Sequence, residues 1–412
     1  MSSLSWLAYD EREADSLRTL VAALRETEAR DPLGVGVVRD AVAEVLFPGV
    51  STVMTRARYF LFVPRLLLRL EELGLHGRGF ADERRTGEVA IIRNLIAGGH
   101  GRGEGVIGRT SLEGTKQLPS TVYWGGLGTL GIRRVDLSLP RYENALATIY
   151  ARRAARAQTG ASHATFDVAV PEGPDGTEGA ARFELTREEA VYLTERALQR
   201  VPGSLLAAAL VDDVDMATWS DGAGPWVQPW ATLHDRARRV LAQAEVLSLV
   251  LHGAQLAYNH ELALRTIEAL HLPADSAVAG VRDQMDVELD HWCDEMGGRR
   301  ADVRGWRDGL PTLWDDLGVI ARARRAVAFI TWWVDTVVGA GVDAVRDKDV
   351  RERLTQREAD VKGRNARATN AAAMTAWARE PTPQAAARLT FRWPTARVLI
   401  ADIRGGRGAA AL

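Results

Sequence analysis

Residues 246–264 read Val-Leu-Ser-Leu-Val-Leu-His-Gly-Ala-Gln-Leu-Ala-Tyr-Asn-His-Glu-Leu-Ala-Leu, with no carboxylate, lysine or arginine before Glu261. A helix drawn through them is apolar on most faces, the mark of a helix buried all round. The pattern extends from Ala231 to Leu272 and stops at Pro273, which cannot continue a helix. The uncharged part, Val246 to His260, is broken by His252, Gln255 and Asn259. It falls short of the about 20 apolar residues that a membrane span needs. The segment therefore predicts the central helix of a bundle, and no membrane partner.

Downstream, the pattern predicts helices near 280–296, 311–340 and 343–378, with a last strand or helix over 389–403. Upstream, an amphipathic helix is expected over 10–29, with Asp10, Glu11, Glu13 and Asp15 crowding its first turns. A second is expected over Val37–Phe47. Pro48-Gly49 ends it, and Ser51 caps a third, Thr52–Leu73, which Pro64 should kink and Gly74 should end. A fourth runs over Asp82–Ile96, a short one from Leu118-Pro119-Ser120 to Leu127, and a basic one over 141–158. Residues 160–183 read as a loop or weak hairpin between domains, Thr186 with Glu189 as a capping box, and 217–230 as an aromatic loop. No βαβ alternation or internal repeat is present. The fold class is mainly α: a helix-turn-helix-like N-terminal domain (1–158), a connector (159–230) and a larger helical bundle (231–412).

Composition narrows the function classes. The chain has 412 residues, 46% hydrophobic and 26% charged, with a net charge of −2, so no global field recruits nucleic acid or membrane. Its single cysteine, Cys293, excludes an intramolecular disulfide and a cysteine-based zinc site, as a reducing cytoplasm would favour. The first residues lack the basic and apolar regions of a signal peptide, which points to a cytoplasmic location. Only Lys116, Lys348 and Lys362 are lysines against 49 arginines, so arginine clusters carry reduced weight. Between Ser51 and Arg156 there are 17 basic and 9 acidic residues, a local +8 that can support phosphate contacts or face an acidic partner.

The catalytic motifs fail one by one. Gly103-Glu104-Gly105-Val106-Ile107-Gly108 matches the dinucleotide fingerprint, but it lacks a preceding strand and a following helix. Glu288 and His291 have the spacing of a di-iron ligand pair, but no second such pair exists; His252 and His260 add weak metal candidates. Cys293 stands among acidic residues, which raise a thiol pKa. No catalytic residue, cofactor or metal is assigned. Val37–Phe47, the turn at 48–51 and the helix from Thr52 outline a helix-turn-helix. Thr52, Thr55, Arg56 and Arg58 would reach a groove, with Arg109 and Lys116 on phosphate. Tyr123 and Trp124 read as core.

Several strings resemble a bacterial family of unknown function. They are Ser3-Leu4-Ser5-Trp6-Leu7, Thr55-Arg56-Ala57-Arg58-Tyr59-Phe60-Leu61-Phe62, Val106-Ile107-Gly108-Arg109 and Leu118-Pro119-Ser120 with Tyr123-Trp124. Leu251-His252-Gly253-Ala254, Tyr258-Asn259, Lys362-Gly363-Arg364 with Ala366-Arg367, and Arg392-Trp393-Pro394 continue the likeness. The resemblance implies a setting near phage-defence or DNA-modification genes, with helicases or other defence proteins as partners. It implies no activity and no site residues. The expectation is a non-catalytic, nucleic-acid-associated or assembly component of a bacterial phage-defence or DNA-processing system. The alternatives are a protein-only scaffold anchored by the aromatic loop Trp219–Trp230, or an enzyme whose site unites His252, His260, Glu288 and His291.

Overall fold

A computed structural model describes residues 31–156, 164–215 and 224–408. The helix expected over 10–29, the Ser3–Leu7 string and residues 217–223 of the aromatic loop lie outside them. Fifteen α-helices are present among the described residues, and no strand. They are α1 (Gly36–Leu46), α2 (Tyr59–Glu72), α3 (Gly77–Ala97), α4 (Pro119–Thr129), α5 (Leu139–Arg156), α6 (Arg187–Arg200) and α7 (Leu205–Val211). The long α8 (Asp235–Leu270) follows, then α9 (Ala277–Gly298), α10 (Arg300–Arg307), α11 (Leu310–Leu317) and α12 (Arg324–Ala340). The last three are α13 (Lys348–Lys362), α14 (Ala371–Arg379) and α15 (Trp393–Gly408). The mainly helical class is as expected.

Local chemistry accounts for the ends. Thr186 and Glu189 form the reciprocal capping box of α6, and Pro119 stands at the first turn of α4. One expected start is displaced. The helix anticipated from Thr52 begins only at Tyr59, and it runs on through Pro64. Residues 51–58 are a loop, so a twelve-residue connection separates α1 from α2. A helix-turn-helix needs a turn of about 3–4 residues.

The chain divides into two compact units, each made of two pieces. Unit 1 comprises residues 1–42 and 239–391; unit 2 comprises 43–238 and 392–412. The contiguous division expected from composition differs because the chain ends return. In unit 1, Arg357 of α13 donates to the Leu33 carbonyl at 2.9 Å. In unit 2, α15 packs on α6 and α7, and Arg404 donates to the carbonyls of Ala209 and Asp212.

Unit 1 is built on α8. By length and composition α8 alone among the described helices could cross a membrane, but 78% of its most apolar window is buried in the protein. The Trp292 indole of α9 donates to the Leu249 carbonyl, and the Trp333 indole of α12 to that of Val250, each at 2.8 Å. Gly253 admits the Trp292 ring: a Cβ there would stand 2.3 Å from it. The polar residues that interrupt α8 have a purpose. Ser248 donates to the Leu389 carbonyl, the His252 ring bonds the Ala386 carbonyl, and the Asn259 amide donates to the Gln384 carbonyl, all at 2.8 Å. They fasten residues 384–389 along α8.

Candidate functional site

The loop 51–58 of unit 2 holds most of the residues expected to touch nucleic acid, and the structure commits three of them, Thr55, Arg56 and Arg58, to partners in the same unit. The Tyr123 hydroxyl accepts the amides of Thr55 and Arg56 at 2.9 and 3.0 Å and donates to the Arg56 carbonyl. Thr55 donates its hydroxyl to the Gly105 carbonyl at 2.6 Å. Gly105 has φ +89°, and a Cβ there would meet Arg56 at 2.6 Å. The fingerprint-like glycines thus form a connector packed against the 51–58 loop. Arg56 grips Asp402 with Nε and Nη2, and its guanidinium lies 4.6 Å from the Phe183 ring centroid. Arg58 pairs with Glu189 at 3.2 Å and donates to the Arg182 carbonyl. Arg109 donates to the His100 carbonyl at 2.5 Å. Thr52 and Lys116 are exposed, and Tyr123 and Trp124 are buried.

Part of the local basic surplus is internal wiring. Arg56 pairs with Asp402, Arg58 and Arg65 with Glu189, Arg69 with Asp175, and Arg134 with Asp167. Those four acids all lie beyond residue 156, outside the segment that carries the +8. They offset part of the charge within the same unit, while Arg69 and Arg134 stay half-exposed.

The metal candidates also separate. His252 is committed to the Ala386 carbonyl, and His260 to Asp286 at 3.1 Å. Burial pushes both imidazoles down. His291 is exposed, and Glu288 is half-buried. No group of three or more His, Cys, Asp or Glu side chains is placed to hold a metal among the described residues. Burial, reinforced by Asp290, Asp343 and Asp294, raises the Cys293 thiol against the opposing effect of Arg346. In the aromatic loop, Trp230 is buried and its indole donates to the Pro225 carbonyl. It is no exposed anchor.

A different place gathers cations. In unit 1 a cleft of about 680 Å³ lies beside the end of α13 and α14. Lys362, Arg364, Asn365 and Arg367 line it together with Ala373, Ala376, Trp377, Thr382 and Gln384, and Glu380 is the one carboxylate in the lining. The volume is that of a small-ligand pocket. Beside the cations, Glu358 has no exposed surface. Its oxygens accept the amides of Arg367 and Ala368 at 3.0 and 2.9 Å. Lys362 and Arg367 approach it at 3.7 and 3.9 Å. Glu358 therefore holds the Gly363–Ala368 turn and faces two of the lining cations. Arg364 is exposed. Burial, aided by Arg367 and opposed by Glu358 and Asp31, pushes the Lys362 ammonium down to about 8.

Gln384 is delivered to the cleft by α8. Its amide donates to Asn259 Oδ1 at 2.6 Å and its carbonyl accepts from Asn259 Nδ2. Asn259→Ala should leave both backbone groups without that partner. We expect a loss of about 2–3 kcal/mol from two buried groups stripped of partners, together with weaker binding in the cleft. Denaturant unfolding checks the first, and ligand titration the second. Sequence reading reached Lys362, Arg364 and Arg367 only as part of a resemblance, and did not find Gln384 or Glu358.

The strings that carry the resemblance thus meet in both units. Those at 55–62, 106–109 and 118–124 interlock around Tyr123 in unit 2, while Asn259 and the Lys362–Arg367 segment meet around the cleft of unit 1. A family described as one of unknown function, DUF6361, matches residues 1–405. No curated protein and no solved structure matches the chain.

Proposed function

The chain belongs to the DUF6361 family of unknown function, and from that premise we propose that it is a non-catalytic, nucleic-acid-associated component that grips phosphate through the unit 1 cleft. The observation that carries this reading is that Lys362, Arg364 and Arg367 all belong to the lining of one cleft that holds a single carboxylate, Glu380. Arginine suits phosphate because its planar fork makes paired hydrogen bonds, and a lysine adds a point charge. Arg364 is the exposed cation of the three and would make the direct contact, while Lys362, 5% exposed and facing Glu358, would add its charge from behind. The setting implied by the resemblance, beside DNA-modification and defence genes, accords with a phosphate-bearing polymer and with helicase or defence-protein partners. A placement in the cytoplasm belongs to the same proposal.

The test is titration of a fluorescently labelled single strand and duplex at increasing salt. Binding should be tight at low salt and weaken steeply as salt rises. For the duplex, Arg364→Ala should reduce the logarithmic salt slope by about 1, the share of one phosphate contact. A protein that leaves both probes unbound at low salt would sink the proposal.

Lys362 adds a pH signature. Its folded pKa, about 8, lies below the ordinary 10.5. Above pH 8 the free cleft loses this charge, and affinity should fall by up to about tenfold per pH unit. Asp31, Glu358 and Arg367 face the ammonium. Lys362→Arg should flatten the profile; an unchanged slope above pH 8 in that variant contradicts the assignment. The same shift affects stability with the opposite sign. Between 8 and 10.5 the unfolded chain binds the extra proton, so this group's contribution favours folding more as pH rises.

A further inference from the structure

His260 of α8 meets two other helices at once. Its Nε2 lies 3.1 Å from Asp286 Oδ1 of α9, and its Nδ1 lies 3.5 Å from Arg351 Nη1 of α13. These neighbours favour one state of the ring. A carboxylate can only accept, so Nε2 carries the hydrogen; a guanidinium can only donate, so Nδ1 keeps its lone pair. Both nitrogens of the neutral imidazole are thus committed to other helices. A general base needs a nitrogen open to its substrate, so the arrangement is a fastening and not a catalytic pair.

The charges that face the ring come from three helices. α8 itself supplies Glu261, whose Oε1 accepts from Arg265 at 2.7 Å and whose Oε2 lies 3.6 Å from Arg351. α9 supplies Asp286, and α13 supplies Arg351, which also donates to the Arg346 carbonyl at 3.0 Å. Arg346 itself pairs with Asp290, one turn beyond Asp286. His260 is 12% exposed and Arg351 21%, so water screens their meeting only in part.

From this geometry we infer that His260 is a pH-sensitive latch: neutral, it accepts Arg351 and ties α13 to α8; protonated, it turns Nδ1 into a donor and repels Arg351. A hydrogen on Nδ1 would point at a guanidinium of the same charge 3.5 Å away. Asp286 stays on the imidazolium, and Arg351 keeps the Arg346 carbonyl, so the tie between α8 and α13 is what weakens. Glu261 alone of the groups facing the ring from α8 is then left to draw Arg351 back. Burial, opposed by Asp286 and aided by Arg351, pushes the imidazole below its ordinary 6.5. The unfolded chain therefore takes the proton first, so the latch favours folding above pH 6.5 and loses that contribution as pH falls below it. Arg351 and Lys362 stand about three turns apart on α13. The inference holds whether or not the cleft at the far end of that helix binds phosphate.

Two measurements on the full chain test it. Nitrogen NMR spectra of histidine-labelled protein, with the His260 signals identified by their loss in His260→Gln, should show the neutral Nε2–H form at about pH 7.5. An Nδ1–H form or an imidazolium at that pH overturns the latch. Hydrogen exchange, corrected for its intrinsic pH dependence, should run at least about tenfold faster at pH 5 than at pH 7.5 in the α13 amides near Arg351. Amides of α6 in unit 2 should not follow; an equal acceleration there would mark general loosening and overturn the proposal. The His260→Gln amide can donate to Asp286 and accept from Arg351 at any pH, so the acceleration should shrink to less than about twofold. Asp286→Asn keeps an acceptor for Nε2 but removes the charge that favours the proton, so the acceleration should begin at a lower pH than in the parent. Exchange near Arg351 that is the same at both pH values overturns the latch. So does an acceleration that persists in full in His260→Gln, or an onset that Asp286→Asn leaves in place.

Discussion

Glu358→Ala should cost unit 1 about 3–5 kcal/mol, the penalty for removing one partner from a buried ion cluster. Glu358 is fully buried and holds two backbone amides as well as facing Lys362 and Arg367. Alanine removes the acceptor of both amides and the buried counter-charge that faces both cations. The turn over 363–368 should loosen, and the cleft with it. Glu358→Gln tests the split between these causes. The amide oxygen can still accept from one backbone N–H, so about half of the loss should remain, drawn mainly from the missing charge. In that variant the Lys362 ammonium should fall further below about 8, its largest favourable counter-charge being gone. Hydrogen exchange at the Arg367 and Ala368 amides provides the local readout. Exchange no faster than in the parent protein would refute the assigned role.

Arg84→Ala should destabilise unit 2 by a similar amount, about 3–5 kcal/mol. Its guanidinium lies between two buried carboxylates, donating to Glu88 at 2.6 Å and to Glu143 at 2.7 Å, and to the Ser120 hydroxyl at 2.9 Å. Glu88 has no exposed surface and accepts the Ser120 amide at 2.5 Å. Burial raises the Glu88 carboxyl above its ordinary 4.5, and Arg84 and Ser120 only partly oppose this. Without Arg84 the carboxyl rises further. A folded-state pKa above the unfolded one means that the folded state holds the extra proton. The variant's deficit should therefore be smallest near pH 4.5 and widen as pH rises through the folded pKa. Urea unfolding at several pH values measures it. A deficit independent of pH would place the cost in lost packing instead.

The fold was largely legible because its signals are local. The apolar run 246–264 announces a buried helix, Thr186 with Glu189 caps α6, and Pro119 opens α4. Residues 51–58 misled because their partners are remote. The Tyr123 hydroxyl, 68 residues from Thr55, holds the backbone, and Asp402, 346 residues from Arg56, takes the guanidinium. No spacing rule reports such pairings. The basic surplus over 51–156 misled for the same reason, since its compensating acids lie at 167, 175, 189 and 402. Conversely, the polar breaks in α8 looked like ordinary buried groups. Their meaning depends on residues 384–389 returning alongside, and Gln384 gains its place in the cleft only through Asn259. With 49 arginines in the chain, the cluster at 362–367 carries little weight in the sequence, and only the structure places its members in the lining of one cleft.

Charge reversal compares the two basic regions directly. Binding of a labelled strand bearing a terminal phosphate is measured at low salt for the parent chain, Arg364→Glu, and Arg58→Ala, each confirmed folded by its melting curve. Arg364 is exposed, whereas Arg58 is bound to Glu189 and the Arg182 carbonyl. The cleft reading predicts at least a tenfold loss for Arg364→Glu and less than a twofold change for folded Arg58→Ala. The reverse order, with Arg364→Glu binding like the parent and Arg58→Ala losing the strand, would contradict it.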